Sequence, residues 1–253
     1  MKSLITLGRF LFAIAITAFG IQHLIFAITR SGLGPPWTPV NHLLAYLVGA
    51  ILIVAGFGVA TGIQVSCAGI MLAVLFLVRP LLCYVPKLAA NVRDPGPWTS
   101  AFELLAMGGA CLVLAALFAT RGPRSGRAAG RVGGLLQFGQ ILFAVSVVVF
   151  GIQHLMYGPF VATLIPGWIP GRLFWAYFVG VAFIATCLAI VSGKVAPLAA
   201  TLLGTMFLLW VVMLHAPRVA AALHNANEWT SLLVALAMSG SAFIVAGSLA
   251  EGN

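Results

Sequence analysis

Phe19-Gly20-Ile21-Gln22-His23-Leu24 recurs letter for letter as Phe150-Gly151-Ile152-Gln153-His154-Leu155. The same offset of 131 residues then runs without a gap from Gly8 and Gly139 to Ala119 and Ala250. It carries Pro35, Trp37 and Pro39 onto Pro166, Trp168 and Pro170, and Ala45, Tyr46 and Gly49 onto Ala176, Tyr177 and Gly180. Trp98-Thr99-Ser100 falls on Trp229-Thr230-Ser231, and Pro86 and Lys87 on Pro217 and Arg218. Solenoid units repeat every 20–50 residues or so. A period this long instead marks a duplicated module, and whatever fold one half adopts must be open to the other.

Composition says where such a module lives. The chain is 62% hydrophobic and 7% charged, whereas a soluble domain carries roughly 25% charged residues. It cannot cover a water-facing surface, so its solvent is the lipid bilayer. The net charge of +9 does not indicate nucleic acid, because Arg121, Arg124, Arg127 and Arg131 crowd one hydrophilic stretch. Lys and Arg gather on the cytoplasmic side of membrane proteins. That stretch sets the linker and both termini as cytoplasmic, with Lys2 and Lys194 agreeing, and it suits contact with anionic lipid. Arg30, Lys87, Arg93, Arg172 and Arg218 fall on the other side and reduce the contrast. Cys67, Cys83, Cys111 and Cys187 form no Cys-x-x-Cys pair and read as small apolar fillers of helix faces.

A crossing needs about 20 apolar residues. The spans expected in the first module are Ile5–Thr29, His42–Ala60, Val65–Val85 and Ser100–Thr120, with a turn at residues 61–64. Pro86 is expected to stop the third helix, and Leu88–Pro97 to form a polar loop. Residues 121–134 read as a linker. The second module gives Leu135–Tyr157, Arg172–Val191, Val195–Ala216 and Thr230–Leu249, with a Pro-Gly-Trp loop over Gly158–Gly171. The fold class is thus all-α: eight transmembrane helices as two four-helix bundles, modules 1–120 and 135–253. Four is an even number, so both modules start from the same side and the repeat is parallel. Met1–Gly20 resembles a signal peptide, but its repeat lies mid-chain and the segment is read as a helix.

Both halves keep a polar and aromatic set at the outer ends of their helices. Gln22, His23, Trp37 and Tyr46 match Gln153, His154, Trp168 and Tyr177, and His215 stands where the first half has Tyr84. Trp and Tyr favour membrane interfaces for their own reasons. The same groups around an apolar slot also suit a flat head group with two carbonyls, a quinone, with His and Tyr donating hydrogen bonds and Trp stacking on the ring. No tight His spacing marks a metal or haem site, although His23 and His154 are related by the repeat. Ser100-Ala101-Phe102-Glu103 reads as a capping box. The alternative is a functional acid inside a membrane segment, and Glu103 is then a partner for Arg79, a cation in mid-helix.

The motifs Phe-Gly-Ile-Gln-His, Ile165-Pro166-Gly167-Trp168-Ile169-Pro170, Ala176-Tyr177-Phe178-Val179-Gly180, His215-Ala216-Pro217-Arg218 and Glu228-Trp229-Thr230-Ser231 resemble the DoxX-like membrane proteins. The usual unit of that family is one four-helix bundle, and this chain looks like a fused tandem. The resemblance implies an inner-membrane protein and a link to quinone-coupled redox complexes. The expected function is a membrane subunit that binds quinone near the outer face and receives electrons from a protein partner. A non-catalytic structural or assembly subunit is the alternative. A transporter fits less well, because the helix interiors lack a polar path at the midplane. Tyr84 for His215, and Asn41 for Arg172, set the first half apart.

Overall fold

In a computed structural model, residues 2–26, 42–119 and 127–251 are described. Among them, eight helices are long and apolar enough to cross a membrane. They are α1 (Lys2–Phe26), α2 (His42–Thr61), α3 (Val65–Ala90), α4 (Pro95–Ala119), α5 (Arg127–Met156), α6 (Arg172–Ser192), α7 (Ala196–Ala221) and α8 (Ala226–Glu251). Their outer faces are apolar, as at Val54, Phe57, Val74, Leu188 and Val191. Buried hydroxyls turn back on helix carbonyls instead, Ser146 to Leu142 and Ser241 to Ala237, each at 2.8 Å. That inversion is what lipid demands of a chain, since no water is present to satisfy a buried polar group. Four free cysteines are present; three are buried and Cys67 is exposed.

The helices are arranged as a ring in chain order, each packing on the next, and α8 closes it against α1. α4 and α8, the most enclosed helices, also touch each other and pinch the ring into two lobes. The closing contacts cross the module boundary: α1 packs along α8, and α5 along α4. Glycines make these crossings close. A Cβ on Gly8 would meet the Gly240 carbonyl oxygen at 2.6 Å, and one on Gly139 would meet that of Gly109 at 2.5 Å. Gly8 and Gly240 map onto Gly139 and Gly109 by the 131-residue shift. Small residues of this kind let membrane helices approach and gain dispersion contacts. Gly8→Ala is therefore expected to cost about 1–3 kcal/mol, the usual range for overpacking, because backbone atoms cannot step aside. Gly134→Ala, with nothing within 4 Å of its new Cβ, should be neutral or slightly stabilising. Unfolding of both variants in mild micelles measures the contrast.

Four sequence expectations change. Pro86 does not end α3, which continues to Ala90 through a π turn at Pro80–Tyr84. There the Val85 N–H donates to the Pro80 carbonyl, five residues back. The widened turn shifts the ladder by one residue, so the missing N–H of Pro86 is tolerated. The same turn recurs at Val211–His215, where Ala216 N–H donates to Val211; Val211 stands where Pro80 does, so Pro80 is not its cause, while Pro217 follows this turn as Pro86 follows the first. Residues 127–134, read as linker, are helical and form the first two turns of α5, which runs about 12 Å beyond its apolar stretch at 1.5 Å per residue; 121–126 lie outside the described residues. The loop after α5 contains a short helix, Gly158–Leu164. Finally, α4 begins at Pro95, not Ser100. Asp94 Oδ1 accepts the Gly96 N–H at 3.0 Å, and Asn225 caps α8 in the same way at 2.9 Å.

Candidate functional site

That last correction moves Glu103 out of the cap. Ser100 is inside the helix, so there is no orphan Ser N–H for Glu103 to reach. Instead Glu103 lies two turns along α4 and lines a cavity of about 240 Å³ in the first lobe. The walls come from α1, α2, α3 and α4, with Thr230 and Val234 of α8 closing one side. The cavity sits at the end of the bundle opposite the N-terminus, beside the last turn of α1. Most of its lining is apolar: Phe19, Leu52, Phe76 and Met107. Its polar groups are Gln22, His23, Arg79, Tyr84, Ser100, Glu103 and Thr230.

Hydrogen bonds fix what several of these can offer a ligand. His23 Nδ1 lies 2.9 Å from the Phe19 carbonyl. A carbonyl only accepts, so Nδ1 carries the proton and neutral His23 keeps Nε2 as an acceptor. Arg79 Nη1 approaches that nitrogen at 3.5 Å, the long limit of a hydrogen bond. With Nδ1 spent on the backbone, neutral His23 has no N–H to turn into the cavity, whereas Arg79 lines it as a donor. Its Nε is buried and has no partner among the described residues. Gln22 gives its amide N–H groups to the Ala226 carbonyl at 2.9 Å and Thr230 Oγ1 at 2.8 Å. In the second lobe Gln153 reaches the Pro95 carbonyl at 3.2 Å, and Thr99 donates to Gln153 Oε1 at 3.1 Å. The repeated Gln–Thr pairs thus tie the halves together across the ring.

The equivalent space in the second lobe is filled. Trp210 replaces Arg79 and Val234 replaces Glu103. The indole of Trp210 stacks on His154 at 6.4 Å between centroids, and meets Phe183 at 6.1 Å and Phe207 at 5.3 Å edge-on. His154 repeats the backbone bond of His23, donating to Phe150 at 2.8 Å, but its ring faces an aromatic plug. The two charged residues are present together in one half and absent together in the other. A structural ion pair between them is not the reason: Arg218 and Glu228 pair at 2.9 Å, whereas Arg79 and Glu103 do not pair. Arg79 and Glu103 face one cavity without touching.

The remaining candidates lie elsewhere. Tyr46 is exposed on α2, and Tyr177 packs against Gly158 at the short helix. Trp168 is 68% exposed, and Trp37 lies outside the described residues. His215 occupies the second π turn, the place where Tyr84 reaches the first cavity. Trp98 and Trp229 prove to be loop clasps, donating to the Val92 and Leu223 carbonyls at 2.8 and 2.9 Å. The exchange of His215 for Tyr84 pointed to unequal pockets in the two halves; what it did not mark is that Arg79 and Glu103, exchanged for Trp210 and Val234, share the first cavity with Tyr84. Compared with known family models, curated proteins and solved structures, the chain matches none.

Proposed function

We propose that the chain is the membrane subunit of a quinone-linked redox complex, and that the cavity of its first half holds the quinone head group. What carries the reading is the pair of charged residues, Arg79 and Glu103, that lines this cavity and is replaced in the repeat by Trp210 and Val234. An ionisable residue within a membrane segment costs several kcal/mol and marks function by default. Ligand pockets are typically about 300–1,000 Å³. This one, at about 240 Å³, is sized for a head group, with an apolar tail lying along the lipid-facing helices. A quinone oxygen accepts hydrogen bonds and gives none, and the guanidinium of Arg79, which lines the cavity, is a donor that fits it. The DoxX-like motifs agree in direction. In this reading the protein sits in a bacterial-type inner membrane with both termini cytoplasmic. The cavity then opens near the outer face, and a protein partner supplies the electrons, because the chain has no redox cofactor motif.

The test is mass spectrometry of the lipids that copurify with wild-type protein, His23→Ala and His154→Ala. Wild type should carry quinone near one per chain. His23→Ala, which removes the group that orients Arg79, should lose most of it, roughly tenfold. His154→Ala should keep it. Quinone no richer than in bulk lipid, with partner proteins still bound, would leave the structural or assembly role as the better account.

A further inference from the structure

The donors and acceptors around the cavity do not balance for a ligand that only accepts. His23 Nδ1 is spent on Phe19, and Gln22 gives its amide to Ala226 and Thr230. Thr230 in turn donates to the Ala226 carbonyl at 2.8 Å. Arg79 is the charged donor that lines the space, and Glu103 faces it with two oxygens. A guanidinium in a membrane helix needs a counter-charge. The acid lining the cavity with Arg79 is Glu103, and as a carboxylate it can only accept. A quinone would satisfy Arg79 and present a second acceptor to Glu103. The dihydroxy form gives one hydroxyl hydrogen to Glu103 while another oxygen accepts from Arg79. Tyr84, whose hydroxyl rotates to suit, adapts to either form.

We infer that this cavity selects an aromatic ring bearing a hydroxyl, binding the hydroquinone in preference to the quinone through Glu103. This rests on the quinone reading above and adds the redox form that is held. A hydrogen bond to a charged acceptor supports a preference of roughly tenfold to hundredfold.

The experiment uses the full chain in detergent micelles under anaerobic conditions. It is titrated by calorimetry with a benzoquinone carrying one isoprenoid unit, and with the same compound after dithionite reduction. Wild type should bind the reduced form at least tenfold more tightly. Glu103→Gln, which keeps size and removes the charge, should bring the two forms within about threefold. Glu103→Val, the residue of the other half at Val234, guards against a variant that fails to fold. Equal binding of both forms by wild type, or a preference that survives both variants, overturns the role of Glu103 and leaves the quinone site standing. Tighter binding of the oxidised form also overturns it, since Glu103 would then be acting as a protonated donor. If neither form binds, the inference and the quinone reading fall together.

Discussion

Arg79→Trp combined with Glu103→Val should abolish ligand binding, by more than a hundredfold, and leave a protein at least as stable as wild type. The double variant writes the second lobe's sequence into the first. In the second lobe Trp210 sits against Phe207, Phe183 and His154. The matching places in the first lobe are Phe76, Leu52 and His23, all in the cavity wall. An indole entering there finds two of its three ring neighbours in place, and Leu52, smaller than phenylalanine, leaves it room. The variant also removes a half-buried cation from a membrane helix, a cost that reaches about 2.5–3.5 kcal/mol at the bilayer centre and is smaller toward the helix ends. Lost binding with gained stability is the mark of a functional residue retained at a stability cost. Copurified quinone and chemical unfolding, measured on one preparation, read both quantities. Full binding by a folded double variant would remove the cavity from consideration as the site. Arg79→Trp alone is a less clean test, because it leaves Glu103 buried without its counter-charge.

Much of the architecture was legible because lipid makes it so. A bilayer fixes the length of each span and requires it to be apolar, so eight helices could be read from hydropathy. The 131-residue shift then tested each one against its copy. The helix ends were less legible. Asp94 followed by Pro95 is a cap residue before proline at the first helical position, and Asn225 repeats the cap. Ser100 and Glu103, further inside the helix that starts at Pro95, offered a second match that hydropathy could not reject. The π turn at Pro80–Tyr84 was not legible, because proline ordinarily breaks a helix and a one-residue shift in the ladder has no composition of its own. In the site, repetition pointed at residues that both halves keep. Many of these hold the fold: Gln22 and Gln153 as ties, Trp98 and Trp229 as clasps. The cavity depends on residues the halves do not share, and it is built from five helices that hydropathy orders but does not place in space.

How the halves close on each other leads to the second large effect. Cut between Ala119 and Arg127 and produced together, they should assemble into a stable one-to-one complex that keeps the cavity. Each half on its own should not be a well-behaved monomer. The first helix of each half finds its long partner in the other: α1 lies on α8, and α5 on α4. The glycine contacts sit at these crossings, with Gly8 against Gly240 and Gly139 against Gly109. A separated half presents two helix faces shaped for close approach and nothing to fill them, and lipid tails cannot follow a glycine groove. Even the cavity needs both halves, since Thr230 and Val234 complete the wall built by α1 to α4. Cutting the chain removes only the effective concentration of a short tether, in the millimolar range, while the interhelical contacts survive. Co-purification through a tag on one half reads the result. Replacing Gly8 with leucine in the tagged half should sever the pair, because the larger side chain would have to occupy the Gly240 backbone. Two halves that purify separately as folded monomers, and ignore each other when mixed, would show that each bundle is complete without its twin.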